Sequence, residues 1–251
     1  MPNSLATDFD ELQLKYDKVR KFVRHIAAAD LRSLIISGPP GVGKSFMVKQ
    51  FLDEHADGEH KYLHGKITPL SLYDALYKHR KPKQVLILDD TDSIFKDPQG
   101  QNILKAAMDS TPVRSISWES TSALLDRMKL PMNFNFEGGV ILITNVGFDG
   151  NNRLSIHLRA IKDRSFPMQI GSDDKATRMT MISFMVLRQD MLKDYNFSEA
   201  EKAQLLDYLS SNLSRLQSIS LRTMVKLATL YKLDSTDWRD MGIASLLVEE
   251  E

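Results

Sequence analysis

The chain has 251 residues, 42% of them hydrophobic, enough for one large or two modest folded domains around a real core. Its 33 Lys and Arg residues balance 33 Asp and Glu, so no bulk electrostatic attraction favours nucleic acid or an acidic membrane, and any such contact has to be local. The absence of cysteine excludes disulfides and cysteine-ligated zinc. The start lacks a basic segment followed by an apolar stretch, and no apolar run of about eighteen residues occurs, so the chain reads as soluble and cytoplasmic, with no membrane partner.

Leu12, Tyr16, Val19, Phe22, Val23 and Ile26 recur with a helical period, which predicts a helix from Asp10 to Ala29. The apolar run Leu34-Ile35-Ile36 predicts a strand that leads into residues 38–45, Gly-Pro-Pro-Gly-Val-Gly-Lys-Ser. This octapeptide satisfies G-x-x-x-x-G-K-[ST], the phosphate-binding loop. Gly38, Gly41 and Gly43 let successive N–H groups turn into one concavity, with Pro39, Pro40 and Val42 at the variable positions. Lys44 is then placed to reach the β- and γ-phosphates, and the Ser45 hydroxyl to ligate Mg²⁺. Lys44 also opens an apolar-periodic segment through Phe46, Met47, Phe51 and Leu52, the helix whose N-terminus meets the phosphates. The loop thus predicts a nucleoside triphosphate and Mg²⁺ as ligands.

Further β-type runs follow at Lys61–Leu63, Val85–Leu88, Val140–Thr144 and Phe166–Ile170, separated by helix-like stretches around 69–79, 99–109 and 152–161. That alternation predicts a parallel sheet with helices on both faces. Val85–Leu88 and Val140–Ile143 are apolar throughout, as strands buried on both faces should be, whereas Pro167 marks an edge strand because proline cannot donate to a ladder. The Val85–Leu88 run ends in Asp89 and Asp90. Asp89 is expected to hold Mg²⁺ and Asp90 to orient or deprotonate the attacking water. His55, His60 and His64 lie beside Asp53, Glu54, Asp57 and Glu59, but they span a loop and fit no standard ligand spacing.

Residues 111–138 exceed what a helix-to-strand loop needs. Val113–Trp118 and Met132–Phe136 alternate in a β manner around a helix-prone centre at Ala123–Lys129, which predicts an inserted hairpin. Trp118, Phe134 and Phe136 are either the core of a packed accessory hairpin or aromatics presented for base stacking; Arg114, Arg127 and Lys129 are available to meet phosphates, with Glu119, Asp126 and Glu137 opposing. After Gly171 only helical patterns remain, including a capping box at Ser198–Glu201. The expected organisation is an N-terminal helix and linker (1–30), an α/β nucleotide-binding core (31–171) with the hairpin at about 111–138, and a small helical lid (172–251).

Strand, phosphate loop, carboxylate strand and helical C-terminal part together resemble the AAA+ ATPase superfamily, over nearly the whole chain. The resemblance implies a three-layer P-loop α/β core with an all-helical lid. It also implies that Asn145, ending Ile141-Leu142-Ile143-Thr144, is the sensor-1 residue, touching the γ-phosphate or the lytic water. Arg164, just before the last strand, matches the arginine finger that reaches a neighbouring subunit's nucleotide, with Arg159 as the alternative; Arg222 matches sensor 2, with Arg215 weaker. A trans-acting finger implies a homo-oligomeric ring, a hexamer in the usual form. The family usually follows the first carboxylate with glutamate; here Asp90 is one methylene shorter, which implies slower hydrolysis. An inserted hairpin before sensor 1 is similar to that of the branch containing superfamily-3 helicases and branch-migration motors, where it often lines the pore. Tyr62-Leu63-His64-Gly65-Lys66 is weakly similar to a second pore loop. Asp-Asp-Thr-Asp-Ser-Ile-Phe at 89–95 and the Arg114–Trp118 spacing are similar to small AAA proteins of tailed bacteriophages, which would place the chain in a host cytoplasm. The implied function is remodelling of, or translocation on, nucleic acid. The alternatives are a remodeller or loader acting on a protein partner, and a nucleotide-gated assembly module with little hydrolysis.

Overall fold

The computed structural model describes residues 3–55, 58–118, 123–147 and 153–248. Asp57, Glu119 and the C-terminal acidic tail lie outside them. By contact density the chain forms two compact units, one of residues 16–38 and 44–170, the other of residues 1–15, 39–43 and 171–251.

The first unit is built on five parallel strands: β1 (Ser33–Ser37), β2 (His60–His64), β3 (Val85–Asp89), β6 (Gly139–Thr144) and β7 (Phe166–Gln169), in the order β2-β3-β6-β1-β7. The three central strands are buried along their whole length, as their unbroken apolar runs require. β7 carries Pro167 and lies at the sheet edge, as the missing N–H demands. Helices α2 (Lys44–His55), α3 (Pro69–Lys78), α4 (Pro98–Ala107) and α6 (Arg153–Lys162) connect the strands. Pro69 and Pro98 open α3 and α4, each behind a side chain, Thr68 or Asp97, that accepts from the exposed N–H groups of the first turn. The second half of α1 (Asn3–Ala27) belongs to this unit, burying Tyr16, Val19, Val23 and Ile26, and the Tyr16 hydroxyl donates to Gln50 at 2.6 Å.

The inserted segment folds as expected into antiparallel strands β4 (Ser115–Ser117) and β5 (Asn133–Asn135), with α5 (Ala123–Met128) between them. Its inner face, Ile116, Trp118, Phe134 and Phe136, is part of one apolar core with Tyr73, Leu76, Leu104 and Leu142. Tyr73 meets both Trp118 and Phe134 edge to face, at centroid distances of 5.4 and 5.1 Å. The aromatics are therefore core residues.

The second unit is helical: α7 (Lys175–Leu187), α8 (Glu199–Ser211), α9 (Leu221–Leu233) and α10 (Trp238–Leu246). Ser198 and Glu201 close the expected capping box at the start of α8. Trp238 is fully buried between Tyr208 and Tyr231. An antiparallel bridge between Leu216 and Leu247 departs from the all-helical expectation. None of the described helices is long and apolar enough to cross a membrane.

Candidate nucleotide site

Parallel register brings the strand ends to one edge. Ser37 pairs with Thr144 and with Gln169, and Asp89 pairs with Ile143 and with His64, so the segments that follow β1, β3 and β6 leave the sheet side by side. In open α/β sheets this carboxyl edge is where ligands bind.

Lys44 is only 5% exposed, and its ammonium donates to the Gly38 carbonyl and to Asn145 Oδ1, each at 2.8 Å. Asn145 Nδ2 in turn donates to Asp90 Oδ1 at 2.6 Å. The order of charges fixes the amide: an ammonium only donates and a carboxylate only accepts, so the Asn145 oxygen must face Lys44 and its nitrogen Asp90. Three of the residues singled out in the sequence thus form one hydrogen-bonded chain. Asp90 holds a left-handed backbone, φ 53°, which turns its exposed carboxylate off the end of β3.

Asp89 is buried at the end of β3, with His64 Nδ1 3.4 Å from its Oδ2. Ser45 and Phe46, in the first turn of α2, share with Asp89, Lys49, Tyr62 and His64 the wall of a cavity of about 520 Å³. Tyr62 and Leu63 lie within β2, and the Tyr62 ring stacks on His64, so these residues are strand and not a free loop. Burial pushes the Tyr62 hydroxyl pKa well up. Among the described residues no group of three or more histidines and carboxylates could hold a metal ion.

The remaining loop residues, 39–43, belong to the helical unit. Gly41 has φ +77° and a Cβ there would sit 2.5 Å from Ser220 Cβ; Gly43 has φ +92° and a Cβ there would meet Leu221 at 2.7 Å. Leu221 N–H donates to the Gly41 carbonyl at 2.8 Å, so the first turn of α9 is bonded to the loop. Arg222, in that same turn, is exposed. Arg178 on α7 donates to Ile219 O at 3.1 Å and Ser172 O at 3.1 Å, and pairs with Asp173 at 2.6 Å.

Arg164 is exposed, donates to Ala160 O at 2.6 Å and lies 3.9 Å from Asp109; Arg159, a turn earlier, is also exposed. The reading of Arg114 as a phosphate contact needs correction. It is 5% exposed, donates to Ala107 O at 2.8 Å and Gly138 O at 2.7 Å, and lies over the Phe136 ring, so the guanidinium is turned inward onto the end of α4 and the residue before β6. Burial pulls its pKa down to about 10, which still leaves it a cation at neutral pH.

Two neighbours of this chain of contacts, Thr144 and Asp92, were assigned no role from the sequence. Thr144 Oγ1 donates to Asp92 Oδ1 at 2.8 Å and accepts from Val146 N–H at 3.0 Å, pinning the backbone on both sides of Asn145. Burial raises the Asp92 pKa, the Thr144 bond works against that, and the Asp90 charge adds to it. The acidic spacing at 89–92 was the available signal for Asp92.

No protein-family model matches the chain. A protein of Enterobacteria phage T4, described as an uncharacterized 36.7 kDa protein in the nrdC-mobD intergenic region, is 32% identical over 224 residues, spanning 86% of this chain and 69% of its own length. Among solved structures, a point mutant of Thermotoga maritima RuvB superposes with a TM-score of 0.53 at 12% identity, over 94% of this chain and 69% of that one. The replication initiator DnaA bound to AMPPCP and single-stranded DNA gives 0.50 at 16% identity, over 89% and 63%. The chain therefore has the AAA+ fold shared by RuvB and DnaA, and it belongs to the family of the phage T4 protein.

Proposed function

We propose that the protein is a Mg²⁺-dependent ATP hydrolase that assembles into a homo-oligomeric ring, a hexamer, and remodels or moves along nucleic acid. The observation that carries the enzymatic reading is the chain Lys44–Asn145–Asp90, which aligns a desolvated ammonium with an exposed carboxylate at the carboxyl edge of the sheet. The residues present fit the nucleotide and its metal. The Ser45 hydroxyl and the Asp89 carboxylate are the hard oxygen donors that Mg²⁺ prefers, and a Cβ at Gly38 would lie 1.9 Å from Ile170 O, so that position has to stay bare backbone. Bound Mg²⁺-ATP supplies the phosphoryl group and the electrophilic charge. Lys44 neutralises phosphate oxygens, Asn145 holds Lys44 and Asp90 at fixed separation, and Asp90 takes a proton from water at its carboxylate. Arg164 acts on the nucleotide of the next subunit and Arg222 on its own.

The nucleic-acid reading is supported by the shared fold with DnaA, which was solved with single-stranded DNA. A second reading, a remodeller of a protein partner, is favoured by the hairpin, whose exposed face consists of the uncharged Ser115, Ser117, Asn133 and Asn135. The deciding experiment is ATPase rate against a panel of single-stranded DNA, double-stranded DNA, RNA and unfolded polypeptide. Stimulation by a nucleic acid alone supports the proposal; stimulation by polypeptide alone replaces it with the second reading. ATP-dependent assembly without turnover would make the protein a nucleotide-gated switch.

A further inference from the structure

A groove of about 580 Å³ lies in the α/β unit between α4 and β4, away from the nucleotide residues. Its α4 wall is Gln99, Asn102, Ile103 and Ala106, an i, i+3, i+4, i+7 set that forms one face of the helix. Its other wall is Ser115, Ile116 and Ser117, all of β4, with no residue of β5. Successive side chains of a strand point to opposite faces, so a groove that touches three consecutive residues runs along the strand's edge. Both walls are about 10 Å long, three residues of strand against two turns of helix.

The hydrogen-bond pattern says what that edge offers. Phe136 N–H donates to Arg114 O and Trp118 N–H to Met132 O, each at 2.8 Å, so residues 114, 116 and 118 face β5. Ser115 and Ser117 therefore direct their N–H and C=O groups outward, along the groove. The amide side chains of Gln99 and Asn102 stand across from them, and the buried Ile103 and Ile116 give the groove an apolar strip. No lining residue is charged, whereas a phosphate backbone would call for lysine or arginine. Val113 and Met132, at the two ends of the hairpin, are large apolar side chains left 63% and 45% exposed.

We propose that this groove is a docking site for an extended, uncharged polypeptide segment of a partner protein, which adds as a strand to the edge of β4 that no other described strand pairs with, while α4 holds its side chains. Backbone pairing supplies the affinity and the Ile103–Ile116 strip selects apolar side chains at alternate positions. The site needs no nucleotide, so it stands or falls separately from the ATPase reading.

The test starts from a displayed library of random peptides selected on the full-length protein, the winning peptide then serving as the probe. The expected result is protection of the Ser115 and Ser117 amides from hydrogen exchange on binding. Ser117→Pro deletes one outward donor without touching the β4–β5 ladder and is expected to weaken the peptide about five- to tenfold. Ala106→Arg fills the groove from the helix side and is expected to abolish binding, with ATP affinity unchanged; it decides the matter alone if Ser117→Pro unfolds the hairpin. Failure to select any peptide, binding that survives Ala106→Arg, or protection of the same amides by oligo(dT) in place of peptide would overturn the proposal.

Discussion

Arg114→Ala is expected to destabilise the α/β unit by about 2–4 kcal/mol. The guanidinium donates to the carbonyls of Ala107 and Gly138, both inside the fold, and its plane covers Phe136. Truncation leaves two carbonyls without their charged donors, about 1–3 kcal/mol each, and removes a desolvated cation–π contact of about 1 kcal/mol. Relief of the burial that pulls the Arg114 pKa down to about 10 offsets part of that sum. Arg114→Lys keeps the charge but offers no planar fork to two carbonyls, so it should recover less than half of the loss. Urea unfolding followed by circular dichroism measures both variants. A change below about 0.5 kcal/mol, together with weakened binding to nucleic acid, would return Arg114 to the role of a phosphate contact.

Asp90→Asn preserves an oxygen that accepts from Asn145 but removes the base; ATP should bind with unchanged affinity while turnover falls about 10²–10⁴-fold, measured by phosphate release and nucleotide titration. Arg164→Ala should bind ATP normally and lose about 10³-fold or more in turnover, and sedimentation with Mg²⁺ and ATP should show a ring in the unaltered protein. Wild-type turnover in Arg164→Ala together with an inactive Arg159→Ala would move the finger to Arg159, and a monomer under those conditions would contradict ring assembly.

Much of the fold could be read from the residues because its signals are local. The apolar runs at 85–88 and 140–143 became fully buried strands, Pro167 an edge strand, and Ser198–Glu201 a closed capping box. The alternation on either side of residues 123–128 became the β4–β5 pair. Legibility ended where tertiary partners decide the outcome. Arginine carries the same charge on a surface as in a core, so nothing in Val113–Trp118 showed that Arg114 would turn inward to two carbonyls. Asp92 met the same limit, since its partner Thr144 lies 52 residues away and is brought to it only by the sheet register. The link from Asn145 to both Lys44 and Asp90 likewise depends on β6 lying between β1 and β3.

If Lys44, Asn145 and Asp90 work together on ATP, as proposed, steady-state phosphate release from ATP and Mg²⁺ must separate the native protein from Lys44→Ala. Mg²⁺-dependent turnover is expected in the native protein, and neither turnover nor nucleotide binding in Lys44→Ala. Equal phosphate release by the two proteins would contradict the proposal.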